Sequence, residues 1–135
     1  MKKKSIKKKS VKLKKYNMKS PAKIKAMMKV LILAGGLGTR LSEYTKSIPK
    51  PMVRVAGLPI IIHIMKHYLR YGFSEFYIAA GYKSHVIKKY FKSFKKSGNK
   101  FDYNISKKKC KITVVDTGIK TLTGGRLKRL KKYLN

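Results

Sequence analysis

From residue 29 onward the chain alternates short apolar runs with amphipathic ones. Residues 30–34 are unbroken apolar and stop at glycine, the pattern of a strand buried on both faces. Residues 52–55 read as extended, and AGLP at 56–59 reads as a turn. Residues 59–71, PIIIHIMKHYLRY, repeat at helical spacing, with Pro59 suited to the first turn. That spacing predicts one apolar face from Ile61, Ile64, Met65, Tyr68 and Leu69, and a polar face from His63, Lys66, His67 and Arg70. Residues 76–80 predict a second strand, closed by Gly81. Ser84 is placed to cap a helix running to Phe94, with Val86, Ile87, Tyr90, Phe91 and Phe94 inward. After the polar loop KKSGNK, residues 101–105 and 112–115 predict further strands. The sequence TGG then opens a last helix, striped by Leu127, Leu130, Tyr133 and Leu134.

Strands alternating with helices require crossover connections, hence an α/β fold with a mostly parallel sheet flanked by helices. In such sheets ligands bind beyond the carboxyl ends of the strands. The stretch LILAGGLGTRLSEYTKSIPKPM, residues 31–52, starts at such an end. Gly35, Gly36 and Gly38 remove side chains there, so backbone N–H groups can face an anion. Arg40 adds a planar fork for phosphate oxygens, and Lys50 a compact charge stiffened by Pro49 and Pro51 on an extended segment. These are parts for holding a polyphosphate and stabilising charge on it. A glycine turn with a stray surface Arg and Lys is the plainer alternative. Two familiar phosphate motifs do not fit. G-x-G-x-x-G needs glycine where Leu41 stands, and GGLGTRL does not supply the G-K-[ST] of a P-loop.

Charge raises a competing reading. Thirty-six Lys and Arg face four acids, a formal net charge of +32. Such a chain attracts polyanions, nucleic acid included. Only five of the basic residues are Arg, the better bidentate reader, so general lysine bias explains the charge equally well. Residues 1–27 hold twelve Lys, no acid and few apolar groups, which predicts a disordered tail ahead of a folded part spanning 28–135. The single cysteine, Cys110, has no internal disulfide partner, and no apolar run reaches membrane-spanning length, so a cytoplasmic setting is expected.

LAGGLGTRL followed by PKPM strongly resembles the sugar-1-phosphate nucleotidylyltransferases. HIMKHYLRYGFSEFYIAAGYKSHVIKKYF and VDTGIKTLTGGRLKRL resemble the later segments of the glucose-1-phosphate cytidylyltransferase branch. The likeness runs from about Lys29 to the end of the chain. It implies a Rossmann-like nucleotidyltransferase fold, here incomplete, since the chain matches only the amino-terminal part. It implies that Leu33, Ala34, Gly35, Gly36 and Leu37 line the nucleotide pocket, and that Gly38, Thr39 and Arg40 cradle the triphosphate. Lys50 would stabilise charge at the α-phosphorus, making Arg40 and Lys50 the catalytic candidates. Thr121, Thr123, Gly124, Gly125 and Arg126 would approach the cytosine and its sugar, with Arg126 a base or phosphate contact.

The implied reaction is in-line attack by glucose 1-phosphate on the α-phosphate of CTP, giving CDP-glucose and pyrophosphate, with Mg²⁺ screening the phosphates. The family's metal-binding aspartate would follow residue 135, so no metal ligand is assigned in this chain, Asp116 included. Weak or absent turnover alone, an exposed sheet edge, and dependence on a missing carboxyl-terminal half or a second copy are expected accordingly. Ile48 stands where the family often carries a further lysine, and the stretch between Phe94 and Ile112 is shorter than the family's.

Other constellations weigh less. His63 and His67 lie at i, i+4 but lack an acidic neighbour, so a solvated helix face explains them. Cys110 among lysines reads as an ordinary thiol, and Tyr82 and Lys83 as turn residues. The remaining alternatives are a basic nucleic-acid-binding module and a domain that binds nucleotide without turnover.

Overall fold

The computed structural model describes residues 21, 27–38, 46–92, 96–97, 100–105 and 107–134. The expected tail, apart from residues 21 and 27, lies outside the described residues, as do Thr39 and Arg40.

The described elements follow the expected alternation. Strand β1 (Lys29–Ala34) leads to the glycine turn, and a 3-10 turn covers Lys50–Met52. Strands β2 (Arg54–Val55) and β3 (Leu58–Pro59) form a small antiparallel hairpin. Helix α1 (Ile60–Arg70), strand β4 (Glu75–Ala80) and helix α2 (Ser84–Lys92) follow. Strands β5 (Lys96–Ser97), β6 (Lys100–Ile105) and β7 (Lys108–Asp116) precede helix α3 (Thr123–Leu134). The main sheet runs β1-β4-β7-β6-β5. β1, β4 and β7 are parallel, while β6 and β5 return antiparallel and make one edge. β1 is the other edge.

The strand period of two sorts side chains onto two faces. Val30, Ile32, Phe76, Ile78, Ile112 and Val114 join Ile61, Ile62, Met65 and Leu69 of α1 and Ile87 and Phe91 of α2 in one core. Leu31, Tyr77, Ala79 and Val115 join Leu130, Tyr133 and Leu134 of α3 in another. The result is helix, sheet, helix layering. Each fully buried Ile or Phe contributes about 1.5–3 kcal/mol relative to staying exposed. Cys110 lies buried in the first core, where it packs as an apolar side chain.

Several expectations shift in detail. AGLP is a tight hairpin turn, with Ala56 (φ 47°) and Gly57 (φ 77°) both left-handed, and Leu58–Pro59 pair as strand. Residues 50–52 coil into a 3-10 turn instead of staying extended, because Met52 N–H bonds Pro49 O at 2.8 Å. In α1 the buried row is Ile61, Ile62, Met65 and Leu69, and Ile64 and Tyr68 are more than a third exposed. The face is turned toward Ile62, which joins the core under the sheet, while Ile61, Met65 and Leu69 stay inward as expected. In α3 Leu127 is exposed and Arg126 is buried. Ser84 Oγ, expected as a helix cap, donates across to Asp116 Oδ2 at 2.5 Å.

Candidate functional site

Register sets the frame of the site. Ala34 pairs with Ala80, and Ala80 with Asp116, so the three parallel strands end in one row. Gly35, Gly81 and Thr117 each stand one residue beyond that row. The glycine turn therefore leaves β1 where parallel sheets present their ligand sites.

On one side of the turn lies a cavity of about 280 Å³. Leu33, Ala34, Gly36 and Gly38 line it from the turn. Lys50 and Pro51 face them, and Ile60 and Ile64 of α1 add an apolar wall. Lys50 is exposed, but its backbone is not loose. Pro49 before it is fully buried and Met52 after it is buried. Val53 N–H closes the turn onto Lys50 O at 3.1 Å. Lys83 Nζ also donates to Lys46 O, tying the stretch ahead of Pro49 to the end of β4. Gly38 adopts φ 72°, a left-handed conformation that glycine takes without strain. A side chain on Gly36 would meet open space, so the turn is wide enough there for a ligand to approach.

The remaining predicted residues fall elsewhere. Leu37 is exposed and does not line this cavity, nor do Thr121, Thr123, Gly124 and Gly125. Thr123, Gly124 and Gly125 form the first turn of α3, and Thr121 Oγ1 accepts from Arg129 Nη1 at 2.5 Å. Arg126, which the family resemblance implies as a base or phosphate contact, turns its guanidinium onto protein acceptors. Nη2 donates to Gly35 O at 2.8 Å, and Nη1 to Thr117 Oγ1 at 2.6 Å and Gly118 O at 2.9 Å. Sequence reasoning missed this role, as it missed Thr117, which is fully buried and donates Oγ1–H to Ala80 O at 2.6 Å. The signal that could have found it is the arginine itself, standing between leucines on the last helix's apolar side of the pattern.

Asp116 ends β7 beside this cluster. Burial pushes its carboxyl up, but hydrogen bonds from Ser84 Oγ and Gly118 N, with the charges of Lys88 and Arg126, outweigh it. The carboxyl is held below its ordinary value of 3.8. Its oxygens are thereby engaged by protein donors. Among the described residues no group of three or more His, Cys, Asp or Glu could hold a metal. The described donors do not fit a magnesium ion. His63 Nε2 lies 2.8 Å from Val55 O, which fastens the hairpin to α1.

Comparison with known proteins decides the family. The Nucleotidyl transferase family matches residues 29–117, which span β1 to the end of β7. The chain belongs to the nucleotidyl transferase family. Glucose-1-phosphate cytidylyltransferase of Salmonella typhimurium is 44% identical over 117 residues, covering 79% of this chain and 46% of that protein. A probable glucose-1-phosphate cytidylyltransferase of Bacillus subtilis is 42% identical over 116 residues, with the same coverage. The chain thus spans about half the length of the curated nucleotidyltransferases it matches. A solved UDP-glucose pyrophosphorylase complexed with UDP-glucose superposes with a TM-score of 0.59 at 22% identity, over 78% of this chain and 40% of that one. HddC from Yersinia pseudotuberculosis complexed with GMP-PN gives 0.58 at 29% identity, over 78% of this chain and 42% of that one. The Rossmann-like, mostly parallel nucleotidyltransferase fold expected from the sequence is thereby established for the described part. No helix among the described residues is long and apolar enough to cross a membrane.

Proposed function

We propose that this chain carries the nucleotide-binding part of a sugar-1-phosphate nucleotidyltransferase that uses CTP and glucose 1-phosphate. One observation carries the reading: Gly36 and Gly38, at a parallel-strand end, share a cavity with Lys50. Peptide N–H groups and an ammonium are donors suited to a triphosphate. In this reading Leu33, Ala34, Gly35, Gly36 and Leu37 border the nucleoside. Gly38, Thr39 and Arg40 hold the β- and γ-phosphates, and Lys50 meets the α-phosphate. The first turn of α3, with Thr121, Thr123, Gly124 and Gly125, faces the base. Catalysis is then positioning plus charge stabilisation, as a phosphate oxygen of the sugar phosphate attacks in line and pyrophosphate departs. Choice of CTP and glucose rests on the two cytidylyltransferase relatives above.

Equilibrium dialysis of the chain against CTP, inorganic triphosphate and random DNA tests this. Saturable CTP binding that exceeds inorganic triphosphate, and that falls roughly ten- to hundredfold in Lys50→Ala, is expected for a charge-assisted contact of roughly 1.5–3 kcal/mol. Equal affinity for all three polyanions would sink the reading and leave only general basicity. Binding is measured apart from turnover.

A further inference from the structure

Arg126 is placed to do more than fill space. It reaches the common end of β1, β4 and β7 from the first turn of α3 and is only 6% exposed. Its two terminal nitrogens contact all three strand ends. Nη2 bonds Gly35 O, after β1, at 2.8 Å, and Nη1 lies 3.3 Å from Ala80 O, the end of β4. Nη1 also bonds Thr117 Oγ1 and Gly118 O, after β7. Ile119 O completes the set at 3.4 Å from Nη2. Arg129, one turn on, donates to Thr117 O and Thr121 Oγ1, so the loop that Arg126 grips is itself held. A Cβ on Gly35 would stand 1.9 Å from Arg126 Nη1, and one on Gly81 would stand 2.5 Å from it. Glycine at these two positions makes room for a guanidinium.

We infer that Arg126 is a positioning residue that, with the longer 3.3 Å bond from Tyr82 N–H to the same Gly35 O, fixes the Gly35–Gly36 peptide and so aims the glycine turn at its anion. In a planar trans peptide the carbonyl oxygen and the following N–H point in opposite directions. Drawing Gly35 O onto Arg126 therefore turns Gly36 N–H away from Arg126, on the peptide's other side. Gly36 is also a residue that lines the cavity shared with Lys50. The clamp needs arginine. A planar fork spans acceptors on different strands at once, while one ammonium cannot. The inference rests on reading the turn as a phosphate site, and the experiment separates the two.

The 135-residue chain is labelled with ¹⁵N-glycine and compared with Arg126→Lys and Arg126→Ala, first without nucleotide. The clamp requires the Gly36 amide resonance to shift in both variants, since the bond that orients its peptide is lost. An unmoved Gly36 amide overturns the clamp, whatever binds. Inorganic triphosphate and CTP are then titrated. Both should weaken by the same factor in Arg126→Ala, recover with millimolar methylguanidinium, and fail to recover with methylammonium. Loss of CTP alone, with triphosphate binding intact, overturns the inference in favour of a direct base contact. Should Arg126→Ala fold poorly, Gly35→Ala evicts the guanidinium from the other side. Its effect on binding should not add to that of Arg126→Lys, and full additivity counts against the clamp. If the unaltered chain binds neither ligand while Gly36 still responds to Arg126, the phosphate reading fails and the clamp stands.

Discussion

At the scale of single residues, Asp116 shows how one carboxylate is kept charged among donors. Its folded pKa lies below the ordinary value because Ser84 Oγ–H, Gly118 N–H and nearby cations favour the anion more than burial opposes it. Such a group stabilises the fold above the unfolded pKa, and that stabilisation disappears as pH falls through the folded value. Asp116→Asn is expected to lower the urea midpoint at neutral pH and to converge on the parent as acid titrates the folded carboxyl. A difference that persisted unchanged in acid would show that the side chain acts through packing alone. Tyr77 works in the opposite direction. Burial, then the hydrogen bond and the charge of Glu75, raise its phenol to about 12. Between the unfolded value of 10.0 and about 12 the unfolded chain loses this proton first, so stability falls with rising pH. Tyr77→Phe should remove that part of the alkaline loss, and absorbance at the phenolate band should show one tyrosine titrating last.

Among the elements, α1 separates what periodicity can read from what packing decides. The helical period was plain in PIIIHIMKHYLRY, and the helix stands at Ile60–Arg70. With four neighbouring apolar residues at its start, however, the pattern admits more than one inward row. The sheet selects Ile62, which is 2% exposed, over Ile64, which is 36% exposed. Ile62→Ala is accordingly expected to cost about 2–5 kcal/mol by urea unfolding. Ile64→Ala, one position on, should cost little and instead reshape the wall facing Lys50. Equal costs would contradict the observed rotation of the helix. The same limit governed the site. The glycines that follow β1 and the Lys50 between two prolines are local features, so both are legible, and Gly36, Gly38 and Lys50 line one cavity. The target of Arg126 was not legible, because Gly35 lies 91 residues away along the chain. Only the sheet's register brings Gly35, Gly81 and Thr117 into one row, and no local pattern encodes that.

For the whole molecule, charge is the term that composition sets and the fold must withstand. A net charge of +32 on 135 residues places many like charges within each other's reach. At low salt the screening length is comparable to the spacing of surface groups, about 10 Å at 0.1 M, so repulsion acts against the compact state. Raising sodium chloride from about 0.05 to about 0.5 M shortens that length and is expected to raise the Tm. A gain near 4 °C would correspond to relief of about 1 kcal/mol. The same salt should weaken every polyanion, and random DNA most steeply, because its binding draws only on counterion release. On the proposed function CTP should lose less, since hydrogen bonds from peptide N–H groups of the glycine turn would add to the screened charge. Calorimetric melting and dialysis over one salt series read both effects together. A Tm that fell with salt would mean that attractive pairs dominate over the net charge. Parallel loss of CTP and DNA binding would mean that the turn adds nothing to bulk electrostatics.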